Sequence, residues 1–142
     1  MENYFEEFEE REHNKRMTVV ACYPGKTAQV IEIEGSLESM QKFVGGSIQA
    51  VYPFNDPVAI ICNDEGKLQN LPMNRYIPEI RDVIAGTFFL CGAPPEGENF
   101  ASLTEEQLQR YTQRFYEPEQ FCQLGKNLLV LRSDPETGDP II

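Results

Sequence analysis

One stretch, residues 55–77, constrains the fold more than any other part of the chain. It begins with an apolar run, Val58 to Cys62, which the turn formers of residues 63–66 (NDEG) close. The run predicts a buried strand, because short apolar runs bounded by turn signals are typical of strands in a sheet interior. The polar segment that follows ends in Asn74 and Arg75, where a core would have no such groups. A rigid strand followed by polar groups favours a recognition surface.

Arg75 is the most informative residue of this surface. A guanidinium there either binds a carboxylate of its own chain or contacts a ligand phosphate or carboxylate with two parallel hydrogen bonds. Residues 63–66 either form a turn, which their residue types favour, or contribute Asn63 to a ligand site. The two glycines after residues 37–44 either end a helix or allow a ligand to approach the backbone closely. The candidate ligand-binding residues are Arg75, Asn74, Lys67, Asn63, Tyr76, Gly45 and Gly46.

Composition narrows the partner classes. The 142 residues carry a net charge of -11, which argues against a general nucleic-acid surface because phosphate contacts need clustered Lys and Arg. No apolar run is long enough to span a membrane, and the charged N-terminus does not resemble a secretory signal. We therefore expect a cytoplasmic protein, with no direct nucleic-acid or membrane contact.

Residue types argue against catalysis. The only histidine, His13, lies in an acidic segment, and the four cysteines lack the close pairs typical of zinc sites. Small buried thiols in a reducing compartment explain three of the cysteines. Residues 24–27 (PGKT) match the end of a phosphate-binding loop, but Val20 stands where its first glycine is required, so a turn explains them. We predict no enzyme, no cofactor and no metal. A carboxylate pair remains the alternative by which the chain would catalyse a reaction.

The order of patterns predicts an α+β fold, an antiparallel β-sheet with two or three helices packed on one face. Strands are expected at 18–23, 28–34, 48–52, 58–62, 82–90 and 128–131, with 67–76 left open between a bent edge strand and a loop. Ser36 predicts the start of a helix over 37–44. A capping box from Ser102 to Glu105 predicts a helix to about Tyr116, and 117–124 favours one more helical turn.

Three regions are expected along the chain. Residues 1–16 hold six Glu and form an acidic extension, either a short amphipathic helix or a solvated arm. Residues 17–133 form a single α+β domain. Residues 134–142 contain two Pro and a Gly, and form a loose C-terminal tail.

Five motifs occur in an order that resembles a known family. They are residues 33–41 (IEGSLESMQ), 44–52 (VGGSIQAVY), 62–68 (CNDEGKL), 71–75 (LPMNR) and 82–89 (DVIAGTFF). Together they are similar to the family of domains of unknown function numbered three thousand eight hundred and forty-six, over about residues 17–116. The usual glycine before the Leu-Pro pair is Asn70 in this chain.

The resemblance implies a small accessory protein of a mobile element, located in the cytoplasm of a bacterial host cell, because members of this family are typical of phages, plasmids and conjugative elements of gut bacteria. By analogy, compact acidic phage proteins often act against host defence. The leading hypothesis is a non-enzymatic homo-oligomer that sequesters a nucleotide-like immune signal, with a base stacked on Tyr76 or Tyr52. The alternative is an acidic inhibitor or DNA mimic that blocks a host defence protein such as a nuclease.

Overall fold

A five-stranded antiparallel sheet, with strand order β2-β1-β7-β4-β3, forms the centre of the computed structural model, which describes residues 15–97 and 99–141. Two further antiparallel ribbons, β5-β6 and β8-β9, lie beside it. The strands are β1 (Arg16–Cys22), β2 (Gln29–Glu34), β3 (Ile48–Val51), β4 (Val58–Asn63), β5 (Met73–Ile77), β6 (Asp82–Ala85), β7 (Phe88–Gly92), β8 (Glu119–Leu124) and β9 (Asn127–Arg132). The helices are α1 (Leu37–Val44) and α2 (Glu105–Arg114), and Pro78–Ile80 form a short 3-10 helix.

The core lies on both sides of the five-stranded sheet. Every residue of β4 and β7 is buried, which confirms the buried strand expected at Val58 to Cys62. Alternate residues of these strands enter two separate clusters, since successive side chains of a strand point to opposite faces. Ile60 packs with Tyr111 of α2 in one cluster, whereas Ile61 packs with Met40 of α1 in the other.

An α+β fold built on antiparallel strands is therefore present, as the sequence predicts. The packing of its helices on one face is not confirmed, because α1 and α2 contribute to different clusters. The acidic extension predicted at residues 1–16 lies almost entirely outside the described residues, and Arg16 begins β1. No helix of the described residues is long and apolar enough to cross a membrane.

A glycine divides the strand predicted at 82–90 into two. Gly86 has a φ of +88°, a left-handed conformation that ends the strand and sends β6 and β7 to different sheets. A Cβ at this position would lie 2.8 Å from Leu71 Cδ1. The prediction of one continuous central strand is therefore wrong for its first half.

The predicted helix boundaries are right for α1 and wrong for α2. The Ser36 hydroxyl accepts a hydrogen bond from the Ser39 N–H at the start of α1. At α2 the capping box joins Thr104 and Gln107, and Ser102 Oγ instead accepts the N–H of Thr18. The helical turn predicted over 117–124 is wrong as well, because most of that segment is β8 and pairs with β9 through a two-residue turn.

Candidate functional site

Arg75 lies in the interior, with no exposed surface. Its Nη1 donates to Asn74 Oδ1 at 2.8 Å, and its Nη2 donates to the carbonyl oxygens of Lys26 and Phe115 at 2.7 and 2.9 Å. Burial lowers the pKa of Arg75, while nearby Cys22 and Glu119 raise it. The expectation that Arg75 contacts a ligand is wrong, because neutral groups of its own chain occupy both terminal nitrogens.

A β-bulge explains how two adjacent polar residues become buried. The register of β5 against β6 shifts between Met73 and Arg75, so Asn74 and Arg75 both point inward. Asn74 Nδ2 donates to the carbonyl oxygens of Cys22 and Gly86 at 2.8 and 2.9 Å. Asn74 therefore joins the β5-β6 ribbon to the main sheet and is not accessible to a ligand.

Three of the predicted residues come together at the C-terminal end of α1. Asn63 Nδ2 donates to the Val44 carbonyl at 3.2 Å, and its Oδ1 accepts the Glu65 N–H at 2.8 Å. A Cβ at Gly46 would lie 2.9 Å from Asn63 Nδ2, so only glycine fits there without displacing the amide. Gly45 ends α1 with a φ of +82°. These residues stabilise the turn, as the turn-forming alternative predicts.

Asn63 and Lys67 line a cavity of about 190 Å³, hereafter the acidic cavity, between the turn after β4 and strand β6. Asp64, Glu65 and Asp82 also line it, and Asp82 forms an ion pair with Lys67. Pockets for small ligands usually hold about 300–1,000 Å³. The small volume and the excess of carboxylates both disfavour a phosphate-bearing ligand here.

Tyr76 lies elsewhere, in a cleft between the β5-β6 ribbon and β9 that also contains Arg81, Leu128 and Val130. Its backbone N–H donates to Glu119 Oε1 at 2.8 Å. The structure therefore separates the seven predicted residues into the interior, the acidic cavity with the end of α1, and this cleft. They do not form one ligand site.

A different cleft, hereafter the aromatic–arginine cleft, contains an exposed aromatic ring and guanidinium groups. These are the types of group that the sequence analysis expected to contact a nucleotide. The cleft has a volume of about 560 Å³ and lies between the loop after β3 and helix α2. Tyr52 is 62% exposed at its edge. The guanidinium carbon of Arg114 lies 4.7 Å from the centroid of the Phe54 ring, a cation–π contact. Arg110 also lines this cleft.

Three carboxylates hold the arginines of this cleft in place, since Glu79 pairs with Arg114 while Asp56 and Glu106 pair with Arg110. Arg114 Nη1 donates to Glu79 Oε2 at 2.6 Å, and a second bond joins the same two groups. This contact with Arg114 lowers the pKa of Glu79. Asp56 Oδ2 accepts hydrogen bonds from Arg110 Nη1 and the Tyr111 hydroxyl, both at 2.8 Å. The cleft is thus ordered before any ligand arrives, which reduces the entropic cost of binding.

The Tyr111 hydroxyl is a donor in this network. Burial raises the pKa of Tyr111 to about 12, and its hydrogen bond to Asp56 acts in the same direction. Tyr111 therefore stays neutral near pH 7, and its hydroxyl donates a hydrogen bond to the Asp56 carboxylate and fixes it at the rim of the cleft.

Sequence reasoning missed this cleft, although it identified its parts. Tyr52 was considered as a stacking residue, and the helix that carries Arg110 and Arg114 was predicted. The spacing of these arginines, four residues apart, places both on one side of a helix. No local pattern, however, indicates that this side faces the loop of residues 53–56.

Among the described residues, no three His, Cys, Asp or Glu side chains are grouped to hold a metal ion. Burial raises the pKa of Cys22 and Cys91 to about 12 and that of Cys62 to about 11. These three thiols are therefore protonated near pH 7, and protonated thiols are poor nucleophiles and poor metal ligands.

A family model described as a domain of unknown function, DUF3846, matches residues 17–116. The match spans the five-stranded sheet, both ribbon strands β5 and β6, and both helices, and it ends before the β8-β9 ribbon. It confirms the resemblance drawn from the five motifs. No curated protein and no solved structure matches the sequence.

Proposed function

The chain belongs to the DUF3846 family, and from that premise we propose that it is a non-enzymatic accessory protein of a phage or mobile element that sequesters a nucleotide-derived signal of host defence. The ligand is bound in the aromatic–arginine cleft and released unchanged. In this proposal Tyr52 and Arg110 contact the ligand. They take the role that the sequence analysis gave to Arg75, Asn74 and Lys67.

One observation supports this function above all. An exposed aromatic ring and two guanidinium groups line a single cleft of about 560 Å³. A nucleobase stacks on an aromatic face, and a phosphate accepts hydrogen bonds from guanidinium nitrogens, so the cleft offers a partner for each half of a nucleotide. Asp56 and Glu79 add acceptors for base amino groups or ribose hydroxyls. The volume lies within the usual range for small-ligand pockets.

The side chains of the cleft are suited to holding a ligand. Its arginines form ion pairs at rest, which fixes their geometry, and a guanidinium has five N–H donors, more than these pairs use. The neutral Tyr111 hydroxyl and the protonated thiols of the core favour binding over nucleophilic attack. Electrostatic repulsion by the net charge of -11 makes the affinity for an anion depend on salt.

Calorimetric titration with a panel of nucleotides tests the site. Cyclic AMP, cyclic di-GMP and ADP-ribose serve as probes, and we expect at least one to bind with one ligand per cleft. Tyr52→Ala should weaken that binding by about tenfold or more, because stacking contributes about 1–3 kcal/mol per base. Arg110→Ala should weaken it by a similar factor through the lost charged hydrogen bond.

Tyr116→Ala and Arg132→Ala are the matched controls, since both residues are exposed and lie outside the cleft. Neither change should alter the affinity. Absence of binding by every probe, or equal weakening by the controls, would contradict the proposal. The homo-oligomer stays a prediction that sedimentation equilibrium measures.

The acidic inhibitor is the second candidate, favoured by the excess of carboxylates over the whole chain. It predicts salt-dependent binding to a basic host nuclease. Removal of residues 1–14, which keeps β1 and the Lys15 carbonyl that bonds to Gly35, should weaken the inhibitor and leave nucleotide binding unchanged, which distinguishes the two functions.

A further inference from the structure

An apolar groove lies on the side of helix α2 opposite the aromatic–arginine cleft. It has a volume of about 600 Å³ and separates strand β2 from the helix. Val30, Leu108 and Tyr116 form its apolar surface, and Val30 and Tyr116 are each 49% exposed. Glu105 and Glu117 also line it, and no Lys or Arg does. The groove thus combines an apolar floor with two carboxylates, of which Glu117 is paired with Arg132 from outside the groove and Glu105 is in no ion pair among the described residues.

Two polar atoms of the groove lack partners. Thr112 Oγ1 and Glu117 Oε2 are buried atoms without a hydrogen bond among the described residues. Arg132 Nε lies 3.8 Å from Glu117 Oε2, which is an ion pair too long for a hydrogen bond. A buried polar atom without a partner destabilises the fold, because it has lost its hydrogen bonds to water. A ligand with N–H donors would remove that destabilisation at both atoms.

The neighbouring strand has a free edge. Strand β2 ends the five-stranded sheet in the part of the chain that the structure describes. The Gly35 N–H donates to the Lys15 carbonyl, which marks a hydrogen-bonded pair, and these pairs recur at every second residue. The backbone groups of Ile31 therefore bond to β1, whereas those of Val30 and Glu32 point outward. Free edges of this kind accept an added strand.

We propose that this edge and groove together bind an extended basic segment of a partner protein. The segment adds to β2 as a further strand and inserts an apolar side chain between Leu108 and Tyr116. Its Lys or Arg side chains pair with Glu105 and Glu117 and supply the missing donors.

Charge identifies the occupant. Two carboxylates line the groove, Glu32 on the same edge adds a further negative charge, and the nearby cation Arg132 lies 3.8 Å from Glu117 only. At this groove a second copy of this chain, which carries a net charge of -11, would meet like charge, whereas a basic segment is attracted. The site therefore goes beyond nucleotide capture, which uses the other side of the helix.

The test uses the synthetic peptide acetyl-KVKLKVK-amide and the full chain labelled with nitrogen-15. We expect the amide signals of Val30 and Glu32 to shift on titration, because their N–H groups enter the added strand. The double variant Glu105→Gln/Glu117→Gln should bind at least about tenfold more weakly. The charge-matched control Asp64→Asn/Glu65→Gln, in the acidic cavity, should lose less than about threefold.

Two further comparisons distinguish a built groove from general attraction to an acidic protein. A peptide with Ser in place of Leu should bind more weakly, and so should the Tyr116→Ala variant. Tyr52→Ala should leave peptide binding unchanged, so failure here is separable from failure of nucleotide binding. Equal losses in the two double variants, or amide shifts that exclude Val30 and Glu32, would overturn the proposal.

Discussion

At the scale of single residues, Arg75 is a structural centre. Its side chain joins the β1–β2 turn, strand β5 and the end of α2 through carbonyl oxygens of Lys26, Asn74 and Phe115. Arg75→Ala would leave these acceptors unpaired and open a cavity, so we expect a loss of about 3 kcal/mol or more in the free energy of unfolding. Urea denaturation measures the loss. Lys42→Ala, at an exposed position of α1, is the control, and a loss in Arg75→Ala no larger than the control's would contradict this role.

The backbone conformation at residue 70 explains why an asparagine can stand there. Asn70 has a φ of +55°, one of two positive values at non-glycine residues in the described chain. Glycine adopts this conformation without strain, and asparagine tolerates it better than other residues do.

Substitution of Asn70 by alanine or by glycine tests that explanation. We expect Asn70→Ala to lower the free energy of unfolding by about 1 kcal/mol and Asn70→Gly to leave it equal or slightly higher. Thermal or urea unfolding of the two variants provides the comparison. An alanine variant as stable as the glycine variant would show that the backbone conformation does not matter.

At the scale of elements, the Glu79–Arg114 pair fastens the 3-10 helix to α2. The hydrogen bond from Arg114 lowers the pKa of Glu79 below its ordinary value of 4.5. A carboxyl group with a lowered pKa stabilises the fold at pH values above its ordinary pKa. That contribution to the free energy of unfolding is lost as the pH falls through the folded-state pKa.

Glu79→Gln should therefore be less stable than the parent at pH 7, by no more than about 1 kcal/mol because the pair is partly solvated. The difference should shrink as the pH falls below about 4. Urea titrations at a series of pH values measure it. Glu106→Gln, which removes a pair more exposed than this one, should show a smaller effect. A difference that is constant with pH would contradict the ion-pair explanation.

Elements were predictable where the local pattern decides the outcome. Ser36 and Gly45 set both ends of α1, and the apolar run of β4 identifies its burial. The sequence pattern failed where pairing with another segment determines the structure. The sequence of β8 alone predicts a polar helical turn, and the segment is a strand because it pairs with β9. The same holds for the candidate site, since the bulge that turns Arg75 inward and the loop that meets Arg110 depend on distant partners.

At the scale of the whole molecule, three of the four thiols are buried in the described chain and one, Cys122, is exposed. We expect Ellman's reagent to modify one thiol quickly in the native protein and all four only after unfolding. Cys122→Ser should abolish the fast phase. A second fast thiol would show that the core opens more readily than the structure indicates.

The three buried thiols predict that the protein loses stability at alkaline pH. Their folded-state pKa values of about 11 to 12 exceed the ordinary 9.0. Because the folded-state pKa of these thiols is raised, the free energy of unfolding is unaffected by them at pH values below 9. It falls as the pH rises above 9, where the thiols of the unfolded chain lose their protons. Each buried thiol lowers the free energy of unfolding by up to about 1.4 kcal/mol per pH unit above that value. Urea titrations between pH 8 and pH 10 measure the decrease. Unchanged stability over that range would contradict the burial of these groups.

Helix α2 separates two surface clefts of different chemistry. We propose that the aromatic–arginine cleft on one side binds an anion with an aromatic part, and that the apolar groove on the other side binds a basic segment. Both are proposals about holding a partner, and neither requires a group that activates a nucleophile.

Recovery of the ligand after capture is the most direct test of this account. The nucleotide that binds in calorimetry is incubated with a hundredth of its molar amount of protein and, separately, with an equal amount. The mixtures are then heated and analysed by liquid chromatography. The account predicts full recovery of the unchanged nucleotide in both mixtures, with depletion of free ligand before heating only in the equimolar one. Conversion of more than one equivalent per protein would show turnover and would contradict it.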